Sequence, residues 1–188
     1  MLNAFLTATG VVAVSEIGDR TQLLAFVLAT RFRRPLPILL GILVATLANH
    51  TLAGLAGYWV RGLLTPEILR WALGGSFVAI GLWSLVPDKL EEAGAVETGR
   101  SGQDAFLATL VAFFIAEMGD KTQLATIALA ARFSFLPAVI AGTTLGMMIA
   151  NIPAVFGGHA TGHKINLRYV RLAAAGIFLA QGAAVILG

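Results

Sequence analysis

The chain contains no cysteine, which removes disulfides, thiolate metal sites and thiol nucleophiles from its chemistry. It is also poor in charge. Only 12% of its 188 residues are Asp, Glu, Lys or Arg, against 57% hydrophobic residues and a mean hydropathy of +0.84. A soluble domain of this length and composition would expose too much apolar surface, so the chain reads as an all-α integral membrane protein with no soluble domain beside its spans. No basic stripe is interleaved with aromatic residues, so the net charge of +3 is no sign of a nucleic-acid partner; it comes from basic residues at the ends of apolar runs. No positively charged n-region precedes the first apolar run, and that run itself carries acids, so a cleaved signal peptide is not expected.

What the chain does have is apolar runs, and there are six of them. They extend from about Leu2 to Thr30, Leu36 to Val60, Ile68 to Val86, Ala105 to Ala131, Phe135 to Gly158 and Val170 to Leu187. About 20 helical residues cover the roughly 30 Å of a bilayer's hydrocarbon core, so each run is read as a span. Thr65-Pro66-Glu67 marks the start of the third as an N-cap followed by proline in the first turn. Between the third and fourth runs, residues 87–104 gather Asp88, Lys89, Glu91, Glu92, Glu97, Arg100 and Asp104 among glycines, which predicts an exposed acidic linker.

Two of these runs are interrupted by the same motif. Glu16-Ile17-Gly18-Asp19-Arg20-Thr21-Gln22-Leu23 returns 101 residues later as Glu117-Met118-Gly119-Asp120-Lys121-Thr122-Gln123-Leu124, with six of the eight positions identical. Arg31-Phe32 returns at the same offset as Arg132-Phe133, so the likeness runs to the helix end. The chain is therefore read as a tandem repeat, 1–86 and 105–188, of three helices each. Three is odd, so the halves would enter the membrane in opposite senses, as two inverted three-helix repeats. Arg31, Arg33, Arg34, Lys89, Arg100, Lys164, Arg168 and Arg171 fall on one side of such an arrangement, and Arg61, Arg70 and Arg132 on the other. The positive-inside rule then puts the central linker in the cytoplasm and both termini outside.

An ionised side chain in mid-span costs roughly 2.5–3.5 kcal/mol even on lenient insertion scales. In a continuous helix Glu16, Asp19 and Arg20 would share one face, as would Glu117, Asp120 and Lys121. Buried ion pairs that only fix helix packing are the alternative for one such motif. The duplicated set is harder to read that way, because four carboxylates against two cations leave negative charge that hydrocarbon tolerates only with protons or a bound cation. Together with Thr21, Thr122, Gln22 and Gln123, the acids make an oxygen-rich site suited to Ca²⁺, Mg²⁺ or Mn²⁺ and poorly suited to Cu(I) or thiolate zinc. The glycine beside each Asp permits a helix break that would free backbone carbonyls.

Asn49 and His50 lie near the middle of the second span and Asn151 near the middle of the fifth, where interhelical hydrogen bonding and a role at the site are both open. No histidine in the second half answers His50, which ranks it lower as a ligand and leaves a proton-handling role. Gly142 and Gly146 have the small-xxx-small spacing of close helix packing. His159 and His163, near a span end, are read as interfacial.

The paired Glu-x-Gly-Asp-(Lys/Arg)-(Thr/Ser) motif, once per three-helix half, resembles the Gdt-type family of Golgi manganese/calcium transporters, whose bacterial members include manganese exporters. The resemblance covers nearly the whole chain. It implies a six-helix cation/proton antiporter that extrudes Mn²⁺ or Ca²⁺, with Glu16, Asp19, Glu117 and Asp120 as ligands and Arg20, Lys121, Thr21 and Thr122 as the adjoining motif positions. The transported ion is a substrate, so no cofactor is implied. Lacking the extra N-terminal helix and long tail of eukaryotic members, the chain is expected in a bacterial inner membrane; its oligomeric state stays open. Two other classes compete. An intramembrane enzyme would need a nucleophile constellation that the chain does not offer, and asymmetric acid and base roles that a duplication does not provide. A passive cation channel would find Arg20 and Lys121 in its path.

Overall fold

The computed structural model describes residues 1–86, 101–157 and 167–187. Most of the acidic linker lies outside the described residues, as do His159, His163 and Lys164. The described chain is helical, in eight pieces: α1 (Leu2–Glu16), α2 (Arg20–Phe32), α3 (Pro35–Leu63), α4 (Pro66–Ser84), α5 (Gly102–Ala116), α6 (Lys121–Arg132), α7 (Leu136–Gly157) and α8 (Leu167–Leu187). Among them α3 and α7 are each long and apolar enough to cross a membrane, and α5 with α6 qualifies as one span bent by 71°. The apolar composition thus becomes helices of membrane-crossing length.

Eight helices arise from six apolar runs because the first run of each half breaks inside its motif. Gly18 has φ +78° and Gly119 φ +77°, a left-handed conformation that costs an L-residue with a side chain roughly 1–2 kcal/mol. This corrects the expectation of one shared helical face. Glu16 is the last residue of α1 and Asp19 the N-cap of α2, so Glu16, Asp19 and Arg20 do not lie along one continuous helix. Asp120 likewise N-caps α6. Two helix starts follow local capping chemistry. Thr65 accepts a hydrogen bond from the Ile68 N–H at 3.4 Å, and α4 begins at Pro66. Ser101 and Asp104 form a reciprocal capping box, which starts α5 at Gly102 and takes Asp104 out of the expected linker and into the helix.

The interior mixes small residues with large apolar ones, among them Leu28, Phe77, Phe113, Leu129 and Phe178, while many leucines face outward. The buried face of α3 carries Ile38, Gly41, Ile42, Ala45, Thr46, Asn49, His50, Ala53, Gly54 and Gly57, while Leu36, Leu40, Leu47, Leu55 and Trp59 point outward. Lipid gives no hydrophobic drive between helices, so small residues stand where backbones approach closely. A methyl group on Gly142 would lie 2.5 Å from the Phe5 carbonyl oxygen, and one on Gly146 2.6 Å from that of Thr9, so α7 packs on α1 through the pair singled out by spacing.

The contacts between halves are reciprocal at the 101-residue offset. A methyl group on Gly41 would meet the Phe106 carbonyl and the Thr109 side chain, whereas one on Gly142 meets Phe5 and Ala8, the counterparts of those two residues. Phe77 of α4 stacks on its own counterpart, Phe178 of α8, with ring centroids 6.4 Å apart and planes inclined by 26°. Gly81 faces Ala175 and Phe178 while Gly74 faces Gly182 and Ile186, so α4 and α8 run antiparallel. Each half therefore completes its packing with the other: α1 and α2 lie on α7, and α5 and α6 on α3.

Candidate metal centre

The acids at both helix breaks are buried, although Gly119 itself lies at the surface of the bundle. Each break leaves carbonyls at the end of one helix and N–H groups at the start of the next without helical partners, and the motif residues supply them. Gln22 Oε1 accepts from the Gly18 N–H at 2.8 Å, and Gln123 Oε1 from the Gly119 N–H at 2.7 Å. The two glutamines thus do the same job at the two breaks. Gln22 also donates to the Ala150 carbonyl of α7 at 2.8 Å. Thr21 donates to Glu16 Oε1 and Thr122 to Glu117 Oε2, the latter at 2.9 Å, so each threonine fixes the glutamate across its own break.

The cations bind across the two halves. Lys121 Nζ donates to Asp19 Oδ1 at 2.9 Å, and Arg20 approaches Asp120 Oδ1 at 3.4 Å while donating to the Ala116 carbonyl at 2.7 Å. Each motif's cation serves the other motif's aspartate. That exchange brings single carboxylate oxygens of Glu16, Asp19 and Asp120 within 4.8 Å of one another, all three residues buried. Metal–oxygen bonds of roughly 2.0–2.6 Å let oxygens up to about 5 Å apart share one Mg²⁺, Mn²⁺ or Ca²⁺ between them. Glu117 stands outside this trio. It is buried, with Oε1 lacking a hydrogen-bond partner among the described residues, as does Glu16 Oε2. Carboxylate oxygens left bare in the interior are costly unless something else neutralises or ligates them.

Asn49 and Asn151 are fully buried on α3 and α7. Asn49 donates to the Phe114 carbonyl, one turn before Glu117, at 3.0 Å; Asn151 donates to the Met147 carbonyl, one turn back in its own helix, at 3.0 Å. Both amide oxygens lack partners among the described residues. Asn49 thus ties α3 to α5, and both asparagines keep an acceptor spare. His50 is buried with neither ring nitrogen partnered among the described residues, and its counterpart at the 101-residue offset is Asn151. It does not join the three acid oxygens. The carbonyls of Ala116 and Ala150 left no signal in the sequence, because a backbone acceptor is offered by any residue type.

The chain matches the family described as "Divalent cation/proton antiporter GDT1" over residues 4–92 and 105–188. It belongs to the GDT1 family. The two matched segments carry one motif each, and the resemblance read from those motifs is borne out. As a GDT1 member the chain is a divalent cation/proton antiporter in a membrane, and not an enzyme. It is 47% identical over 169 residues to a Vibrio cholerae protein named "Putative manganese exporter", covering 89% of this chain and 82% of that one. It is 31% identical over 190 residues to "GDT1-like protein sll0615" of Synechocystis, covering 92% and 91%. "GDT1-like protein 5" of Arabidopsis thaliana is 27% identical over 217 residues, covering 97% and 94%. No solved structure matches this GDT1 protein.

Proposed function

We propose that this GDT1 protein exports Mn²⁺ in exchange for protons, with Ca²⁺ as an alternative ion, and that Glu16, Asp19, Asp120 and Glu117 are the shared binding groups. The observation that carries the reading is the exchange of cations between motifs, Lys121 to Asp19 and Arg20 to Asp120, which gathers three buried carboxylates from both halves. With every acid ionised, these four carboxylates and two cations hold a formal excess of two negative charges. One divalent cation cancels it; so do two protons. Metal and protons then compete for the same oxygens, and the neutralised site can change access with either load. Manganese is supported by the name of the Vibrio relative. Thr21, Thr122, Gln22 and Gln123 hold the acids and breaks in place, while Asn49 and Asn151 offer spare amide oxygens at the same depth.

The six spans are read as two inverted three-helix repeats. The reading is supported by the reciprocal contacts at the 101-residue offset and by the antiparallel crossing of the equivalent helices α4 and α8. Breaks near mid-membrane at the interface of two such repeats are a recurrent transporter design. The bacterial relatives and the charge count support an inner-membrane location with the linker cytoplasmic and both termini outside. The test is Mn²⁺ uptake into everted vesicles with an imposed proton gradient, acid inside, and with the gradient collapsed. Uptake that depends on the gradient is the expected result; uptake indifferent to it would fit a channel instead.

A further inference from the structure

Arg61, Arg70 and Arg132 are the three basic residues that the charge count places on the less basic side. They are not scattered there. All three line one open pocket of about 360 Å³, where the end of α3, the start of α4 and the end of α6 meet α8. The remaining wall is apolar, formed by Leu69, Leu73 and Val185 with smaller neighbours. None of the three guanidiniums has a carboxylate within ion-pair distance among the described residues. Arg132 is half-buried, stacks over Phe133 at 5.3 Å and donates to Gln181 Oε1, so its guanidinium is held in position rather than free to reach into solvent. Arg70 stacks over Trp71 at 5.7 Å. The first turn of α4 opens at Pro66 on the rim, where Glu67 offsets the positive end of the helix dipole.

One held guanidinium and two more on the same rim, none ion-paired among the described residues, make a cationic pocket that suits an external anion. The position says which kind. Tyr58, Trp59 and Trp71 are exposed around the same helix ends, the amphipathic ring residues that sit at headgroup level in a bilayer. Arginine forks match phosphate oxygens in pairs. Apolar walls below the cations are a feature that a lipid tail uses and a free ion does not. We propose that this pocket binds the phosphate of an anionic phospholipid headgroup, with an acyl chain lying along Leu69, Leu73 and Val185. The site is separate from the buried acids and holds whether or not they carry manganese.

The test uses the full-length protein in detergent micelles. Phosphatidylglycerol, phosphatidylcholine and inorganic phosphate are titrated separately while bound lipid is counted by native mass spectrometry and the melting temperature is followed. The unchanged protein is expected to retain phosphatidylglycerol and be stabilised by it, with phosphatidylcholine and phosphate ineffective at equal concentration. The Arg61→Gln/Arg70→Gln double variant removes two guanidiniums that make no hydrogen bond to the described protein, so it is expected to fold and to lose at least about tenfold in phosphatidylglycerol affinity. Arg31→Gln, at the opposite end of the bundle, is the matched control and should bind as the unchanged protein does. Equal retention of phosphatidylcholine, unchanged affinity in the double variant, or an equal loss in the Arg31 control would overturn the site. Stabilisation by inorganic phosphate as strong as by phosphatidylglycerol would overturn the lipid assignment in favour of a free-anion site.

Discussion

Arg20 and Lys121 hold equivalent positions in the two motifs and unequal surroundings: the Lys121 side chain is 6% exposed and that of Arg20 is 36% exposed. Removing either cation leaves a buried aspartate unpaired, about 3–5 kcal/mol where water cannot replace the lost partner; at Arg20 the more exposed side of the pair admits water and the loss is screened toward the surface value of about 1 kcal/mol. Lys121→Gln should therefore lower the melting temperature of the purified protein far more than Arg20→Gln; equal shifts would contradict the asymmetry. The acids divide as well. Glu16→Gln, Asp19→Asn and Asp120→Asn each remove an oxygen from the trio within 4.8 Å, and each should weaken Mn²⁺ binding by about tenfold or more, since a ligand contact of 1.4 kcal/mol is already a factor of ten. Glu117→Gln, outside the trio, should weaken it less. Mn²⁺ titration of the four variants ranks them, and a loss at Glu117 larger than at all three others would sink the ordering.

At the scale of the element, the helix breaks are the feature on which the site depends. Gly119 has open space around the position of a Cβ, so only its φ of +77° opposes substitution. Gly119→Ala should cost about 1–2 kcal/mol through backbone strain alone, and Gly119→Asn less, because asparagine tolerates left-handed backbone better. Thermal unfolding of the two variants separates strain from crowding; alanine no worse than asparagine would mean the turn does not hold that conformation. Gly142 is the opposite case, since its substituent would collide with the Phe5 backbone 2.5 Å away. The break itself was only permitted by the glycines in the sequence. Whether a helix stops at a glycine depends on what satisfies the freed groups: the glycine N–H finds its acceptor locally, in Gln22 or Gln123, whereas the Ala116 carbonyl at the end of α5 is met by Arg20 from the other half.

For the whole molecule, charge and topology give two outcomes to measure. If metal and protons compete for the same carboxylates, adding Mn²⁺ to purified protein in weak buffer should release protons, and apparent metal affinity should weaken as pH falls, because protonated carboxyls are lost as ligands. Binding without proton release at any pH would remove the exchange mechanism. Orientation is tested in the cysteine-free chain with single cysteines at Gly62, which has open space at the end of α3, and at Ala95 in the linker. An impermeant thiol reagent on intact cells should label Gly62→Cys and spare Ala95→Cys; the reverse pattern would invert the assigned topology.

The sequence alone determined that this is a helical membrane protein built twice, because apolar run length and a 101-residue repeat are properties of the linear chain. It also marked Glu16, Asp19, Glu117 and Asp120, since acids inside apolar runs are costly wherever the fold puts them. What only the tertiary structure decided is which charges meet. Within one motif Arg20 is adjacent to Asp19, and no local rule directs it to Asp120. Breaking each helix at its glycine turns the cations away from their own carboxylates, and the reciprocal packing of α1 and α2 on α7, and of α5 and α6 on α3, brings the other half's aspartate within reach. The pairing is long-range because the motif's own backbone leaves the helix at the position where a local pair would have formed.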